Sequence, residues 1–377
     1  MNAEPNKKKV LVAPLDWGLG HTTRCVPIIY ELLKQGAEVV AAGNSVQVRL
    51  LEKEFPQIAY QHLGGYNVHY AVKKNRFMIN LMKQAPGILK IIRQENDWLK
   101  DMVKQHGVQG VISDNRFGLY HAGIPTVFIT HQLRLRTSLG GRMERLLQRI
   151  NYRWINKFSR CWIPDHPQAP GLAGDLSHPE VLPAIPCAYL GPLSRMHLLN
   201  ENTVREGVLI LLSGPEPQRS LFEKIVCDQL RSLKERVILV RGLPGGGGPP
   251  LPDLGPVPVY DHLPAEALNR LMCRAAYIVC RSGYSSLMDL QATGAKPILV
   301  PTPGQTEQEY LAALLGHQRR AVISSQAAFD LEALLNKAKE IKGAAPVYHG
   351  NGALAQAVAG FLTDCSVAAP VVKDGAV

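Results

Sequence analysis

The sequence predicts an α/β protein built from two doubly wound parallel sheets. Three observations carry that expectation. Short β-branched runs alternate with helical periodicity along almost the whole chain. The alternation breaks once, in a polar stretch around 188–207, and then begins again. The 377 residues also suffice for two domains with separate cores.

In the first series "KVLVAP" is the opening strand, and a helix follows from about His21 to Gln35, closed by Gly36. "AEVVAAG" is the next strand; Ser45 then caps "VQVRLLEKEF", which Pro56 stops. "GVQGVISD", "IPTVFIT" and "CWIPD" complete the strands of this half. The second series runs from strand "GVLILLSG" through helix "QRSLFEKIVCDQLRSL" to strands "RVILVRG" and "VPVYDHL". Helix "AEALNRLMCRA", strand "AYIVCRSG", helix "SSLMDLQATG" and strand "KPILVP" follow, and "GALAQAVAGFL" is a closing helix. The predicted domains are 1–200 and 201–362, with 363–377 as a tail. "GLPGGGGPPLPDLGP" reads as a flexible connection, because prolines follow the glycines and no helix starts there.

Composition narrows the class. With 46% apolar residues and no run near the roughly 18 needed to span a bilayer, the sequence reads as a soluble globular protein. The start lacks the pattern of a secretory signal, and seven scattered cysteines form no CxxC pair. Free thiols in a cytoplasmic location are therefore expected, with neither a disulfide framework nor a metal site. Residues 1–200 hold 25 Lys and Arg against 14 Asp and Glu, whereas 201–377 hold 17 of each. The excess of +11 thus lies wholly in the first half, which points to an anionic partner there.

Ligands of open α/β sheets bind beyond the carboxyl ends of the strands. Two turns of the second half qualify: Ser213 to Pro217, containing Gly214, and Arg281-Ser282-Gly283-Tyr284-Ser285-Ser286. Each offers a glycine and a helix N-terminus, the makings of an anion site, while the serines also serve as ordinary helix caps. Together the two turns suit a diphosphate. Asp289 lies beyond the second turn, where a carboxylate can accept hydrogen bonds from a ribose diol or simply face solvent. Gln305, Thr306, Glu307 and Gln308 cluster at a helix start and suit sugar hydroxyls or a solvated helix entry.

In the first half, "DWGLGHTTR" puts Gly18, Gly20 and His21 where a strand gives way to a helix. A helix N-terminus disfavours imidazolium, so His21 is a candidate general base, a group orienting acceptor or phosphate, or a capping residue. Asp114 in "VISDNRFG" is an alternative base or an acceptor ligand, and His131 in "VFITHQLR" a contact for acceptor or phosphate. Asp16 is a further candidate. Between Arg134 and Arg160, Arg145, Arg149, Arg153 and Lys157 recur every four residues beside Leu146, Leu147, Ile150, Trp154 and Phe158. Such a basic amphipathic stretch suits an anionic membrane surface, or a surface helix completing a core; "NRFMINLMKQAPGILKIIRQENDWLKDMVK" has similar character. No nucleic-acid-binding module is present.

The run "RSGYSSLMDLQATGAKPILVPTPGQTEQEYLAA" resembles the C-terminal domain of family 28 glycosyltransferases, which include the enzyme of lipid-linked peptidoglycan disaccharide synthesis. "GLGHTTR" is similar to the glycine-rich N-terminal loop of the same GT-B superfamily. The resemblance implies a GT-B fold, two Rossmann-like domains facing a central cleft, and no cofactor beyond a UDP-sugar donor. It implies that Gly214 and the Ser282-Gly283 turn face the diphosphate, that Asp289 holds ribose and that Gln308 and Glu309 read the sugar. Tyr260 to Leu263 would pack on the base. Asp289 stands where the family more often has glutamate, and the N-terminal loop has fewer glycines. The expected activity is an inverting, metal-independent transfer of a hexosyl or N-acetylhexosaminyl group to an acceptor hydroxyl. A lipid-linked acceptor or cell-envelope glycan precursor, met at the inner membrane face, fits the basic half. A UDP-sugar epimerase and a non-catalytic nucleotide-sugar-binding protein are the alternatives. A nicotinamide dehydrogenase fits poorly, as the full GxGxxG spacing and the acidic residue after the second strand are missing.

Overall fold

The computed structural model describes residues 7–66, 77–137, 140–199, 204–231, 233–341 and 352–367, with backbone alone for 77–85. The chain divides into two compact units, residues 1–193 with 349–377, and residues 194–348.

The first unit contains seven strands: β1 Lys9–Pro14, β2 Glu38–Gly43, β3 Ala59–His62, β4 Gly110–Asp114, β5 Thr126–Ile129, β6 Arg160–Ile163 and β7 Cys187–Tyr189. All pair in parallel, in the order β3-β2-β1-β4-β5-β6-β7. Helices α1 Leu19–Lys34, α2 Ser45–Glu54, α3 Phe77–His106 and α4 Gly141–Ile155 connect them. The central strands are buried along their length, hence their near-continuous apolar runs. β3 and β7 escape the sequence reading. Both lie at sheet edges, where AYQH and CAY do not need such a run.

Asn44, rather than Ser45, caps α2. Its side chain accepts from the Val46 and Gln47 N–H groups, and Gln47 returns a bond to the Asn44 N–H, a full capping box. Gln47 is buried and also donates to the Leu15 carbonyl at 2.9 Å and to Thr22 Oγ1 at 3.1 Å, tying α2 to the loop after β1 and to α1.

The second unit repeats the plan with β8 Val208–Leu211, β9 Val237–Val240, β10 Val259–Tyr260, β11 Tyr277–Cys280, β12 Lys296–Leu299 and β13 Val322–Ile323. Its parallel order is β10-β9-β8-β11-β12-β13. Helices α5 Gln218–Leu230, α6 Ala265–Arg274, α7 Tyr284–Thr293, α8 Thr306–His317 and α9 Leu331–Ala338 surround it. Ile210, Phe222, Leu239, Val279, Ile298 and Leu331 centre its core.

Helix α10, Gly352–Val367, corrects the expected domain limits. It packs on the first unit: Phe361 meets Trp162 edge-on at 6.0 Å, the Ala355 carbonyl accepts from Gln35 at 2.9 Å, and Asp364 pairs with Arg160. Gly110 makes room for it, since a Cβ there would lie 2.5 Å from Cys365 Sγ. The second unit begins at residue 194 and not 201, and 363–367 are helix rather than tail. Residues 368–377 lie outside the described residues, as do 138–139 of the basic stretch and 75–76 of the second amphipathic stretch.

Candidate active site

At the carboxyl edge of the first sheet three segments bring four polar side chains together. Gly18 caps α1 with φ +79°, a left-handed backbone that glycine adopts without strain. Gly20 lies in the first helical turn, its carbonyl accepting from Thr23 Oγ1 at 3.1 Å. His21 follows in that turn, Arg24 one turn later, Asp114 ends β4 and His131 lies just past β5. Asp16 sits apart from them, accepting from the Tyr66 N–H at 3.1 Å.

Arg24 is the residue the sequence reading passed over, although the spacing of three from His21 puts both on one helix face. Its guanidinium is 2% exposed and grips Asp114 as a fork, Nε donating to Oδ2 at 2.5 Å and Nη2 to Oδ1. Nη1 donates to His131 Nδ1 at 3.2 Å. His21 Nδ1 lies 2.8 Å from Arg24 Nη2 and 3.2 Å from Asp114 Oδ1. One ring nitrogen has either a hydrogen or a lone pair, so Nδ1 serves one of these partners at a time. When it donates to Asp114, Nε2 is bare and can take a proton. When it accepts from Arg24, Nε2 holds the hydrogen and can only donate.

Burial opposes the Asp114 charge, but Arg24 and His21 outweigh it and hold the carboxyl at about 2. Wholly buried and ion-paired, Asp114 does not fit the alternative of acting as base itself. Burial and then the Arg24 charge lower the His21 pKa, against the pull of Asp114. His21 is therefore neutral at pH 7, with its side chain 16% exposed.

At the carboxyl edge of the second sheet the expected donor residues fall into engaged and open groups. Ser282 is fully buried and donates to the Gln308 carbonyl at 2.8 Å, so its hydroxyl hydrogen is spent inside the protein. Gln308 accepts from the Thr302 N–H at 2.8 Å and donates to Gln305 at 2.5 Å, while Glu309 accepts from the Gly304 N–H at 3.2 Å. The Ser282 bond ties the turn before α7 to the first turn of α8, and the others hold the turn before α8 to that helix. The start of α5 is also occupied, because Glu216 accepts from the Ser220 N–H at 3.2 Å and pairs with Arg219.

The α7 start is different. Gly283 caps it without a side-chain bond, Tyr284 is buried and Ser285 half-buried. Arg281, just past β11, is 1% exposed and lies 4.5 Å over the Phe222 ring. It donates to the carbonyls of Val300 at 3.1 Å, Pro301 at 3.3 Å and Gln218 at 3.0 Å, and to Gln326 at 2.6 Å. Among the described residues no carboxylate pairs with it, and its Nε has no partner. Burial lowers its pKa to about 10, partly offset by the Cys280 thiol. Thr302 Oγ1, equally buried and unpartnered, was absent from the sequence reading. Both atoms flank Gly214, whose φ is +103°. A Cβ there would sit 3.5 Å from Thr302 Oγ1 and 4.0 Å from Arg281 Nε. Two buried donors with nothing to bond are costly unless an acceptor arrives.

Asp289 accepts from Ser194 Oγ at 2.5 Å, and burial raises its pKa to about 6 despite Ser194 and Arg195. Tyr260 is exposed at the end of β10 and Leu263 half-buried beyond it. Arg241 secures this segment, bonding the Tyr260 carbonyl through its N–H and Asp261 through Nη1 at 2.9 Å.

On α4, Arg142, Arg145, Arg149 and Arg153 are exposed, along with Leu146 at 50% and Ile150 at 49%. Phe158 is core, and Lys157 lies past the helix end over the rings of Trp154 and Tyr120. Arg134 and Arg136 do not extend the stripe, since they pair with Glu144 and Asp175. Among the described residues no helix is long and apolar enough to cross a membrane.

Residues 259–349 match the glycosyltransferase family 28 C-terminal domain. A relative in Burkholderia pseudomallei (strain 1710b), UDP-N-acetylglucosamine–N-acetylmuramyl-(pentapeptide) pyrophosphoryl-undecaprenol N-acetylglucosamine transferase, is 23% identical over 84% of this chain and 83% of its own. The glycotransferase of kitacinnamycin superposes with TM-score 0.59 at 16% identity, covering 97% of this chain and 96% of that one. Acinetobacter baumannii MurG gives 0.51 at 14% identity, covering 96% and 98%. With a family 28 C-terminal domain at 259–349, the chain is a glycosyltransferase of the GT-B fold.

Proposed function

We propose that the chain moves a hexosyl or N-acetylhexosaminyl group from a UDP-sugar to a hydroxyl of a lipid-linked or cell-envelope glycan acceptor, with inversion. The observation that carries this reading is the buried Arg281 guanidinium, uncompensated by any carboxylate among the described residues and aimed with Thr302 Oγ1 at Gly214. An isolated buried cation calls for an anion, and a pyrophosphate supplies one. The N-terminus of α7, which no side chain of its cap residue Gly283 covers, adds a positive dipole end beside it. Asp289 takes the ribose diol, and the segment from Tyr260 to Leu263 lies against the base. The turn held by Gln305, Gln308 and Glu309 lines the sugar. The UDP donor and lipid-linked acceptor are supported by the Burkholderia relative, whose name specifies both.

The chemistry divides between the two sheets. His21, neutral and backed by Asp114, takes the acceptor hydroxyl proton on Nε2. The freed oxygen bonds to the anomeric carbon as the carbon–phosphate-oxygen bond breaks, and the electron pair leaves on the diphosphate. Arg281 and Thr302 meet that growing charge, the kind of preorganised stabilisation that counts most in such transfers. A single displacement inverts the anomeric centre. Gly18, Gly20 and His131 border the acceptor position.

The exposed arginines of α4, with Leu146 and Ile150 among them, suit the anionic inner face of a membrane where a lipid-linked acceptor would lie. Titration calorimetry with UDP tests the central claim. Wild type should bind, and Arg281→Met should weaken binding about 10- to 100-fold, the worth of a charged hydrogen bond. Equal affinities, or no binding by wild type, would refute it.

A further inference from the structure

We propose that Arg24 is a positioning residue for transfer: by competing with Asp114 for His21 Nδ1, it governs which nitrogen of His21 carries the proton. The inference rests on His21 acting as the base. A guanidinium only donates, so its contact with His21 Nδ1 at 2.8 Å draws the hydrogen to Nε2 and silences the base. Asp114 Oδ1, 3.2 Å from the same nitrogen, draws the hydrogen to Nδ1 and arms it. The balance depends on how firmly Arg24 stays on the carboxylate. Its fork on both Asp114 oxygens and its Nη1 bond to His131 Nδ1 fix the guanidinium plane from two further segments.

The charged and titratable groups facing His21 are thus Arg24 from α1, Asp114 from β4 and His131 from beyond β5. Arg24 lowers the His21 pKa and Asp114 raises it, so loss of the cation alone leaves the raising partner in command. The same loss removes the competitor for Nδ1 and frees the base form at high pH.

Nitrogen-15 NMR of the imidazoles in the full chain reads both consequences without an acceptor. In wild type the His21 pKa should fall below 6.5, with Nδ1 shifts showing both tautomers. In Arg24→Gln the titration should move up by about one pH unit or more, a tenfold change in proton affinity, and the Nδ1–H tautomer should predominate. Added methylguanidinium should reverse part of the shift, and Arg24→Lys should titrate nearer wild type. A wild-type pKa at or above 6.5, readable whether or not a variant folds, overturns the proposal, as does an unchanged titration in folded Arg24→Gln. His21→Ala separates the two claims. If that variant keeps transfer activity, the base reading fails. If it is inactive while Arg24→Gln titrates like wild type, only the role of Arg24 fails.

Discussion

The two sheets share one strand order, yet they treat a buried arginine in opposite ways. β4 and β11 occupy corresponding places, each beside the first strand of its unit. At the end of β4 stands a carboxylate, Asp114, answered by Arg24 from α1, the helix after the neighbouring strand β1. Past the end of β11 stands Arg281, with no carboxylate among the described residues to answer it. A closed ion pair holds its charge for itself and can only tune a neighbour, here His21. An open cation waits for a charge from outside. One strand order, shared over six strands, therefore carries a closed ion pair at one carboxyl edge and an arginine without a carboxylate partner at the other, because fold does not dictate chemistry.

Mutations should separate the halves. The largest effect is expected from His21→Ala, which should lower kcat about 100- to 10,000-fold, the range for loss of a general base. UDP affinity measured by calorimetry should stay within about twofold, as no linkage to the donor is lost. A matching fall in UDP affinity would break the division. Arg149→Ala with Arg153→Ala should cut partition onto anionic liposomes about 30-fold, from about 1 kcal/mol for each basic residue. Flotation assays at low salt measure it, and equal flotation would leave the α4 face without a membrane role.

Acidity offers a narrower test. Burial raises the Asp289 carboxyl to about 6, and on the proposed role its ionised form would accept the ribose hydrogens, so UDP affinity should be steady above that value. Below it, affinity should fall about tenfold per pH unit, as one proton is taken up on release. His21→Ala should leave this profile in place, whereas Asp289→Asn should flatten it. The smallest effect is expected from Thr302→Val, about 3- to 10-fold weaker UDP binding for one neutral hydrogen bond. Unaltered affinity there would assign the unpartnered hydroxyl to something other than the donor.

Most of the layer pattern was legible, because buried parallel strands must be apolar runs and the runs here are bounded by Gly, Pro and Asn. The edges were not: AYQH forms β3 through neighbours rather than through its own pattern, and CAY lies within a stretch that reads as polar. The resemblance pointed to Gly214 and the Ser282-Gly283 turn by position, but it did not reveal that the Ser282 hydroxyl is spent on the Gln308 carbonyl. Arg24 and Thr302 escaped for a related reason. Their significance lies in contacts with residues far along the chain, and neither type announces a role by itself.

The allegiance of α10 has a consequence for how the polypeptide matures. The half that emerges first stays incomplete until the last helix is made, since Phe361 and Cys365 cover ground beside Trp162 and Gly110. A premature stop near residue 350 would spare the segment carrying Gly214 and Arg281. It would instead strip an apolar lid from the segment carrying His21, so late truncations should surface as insoluble protein rather than as defects in donor recognition.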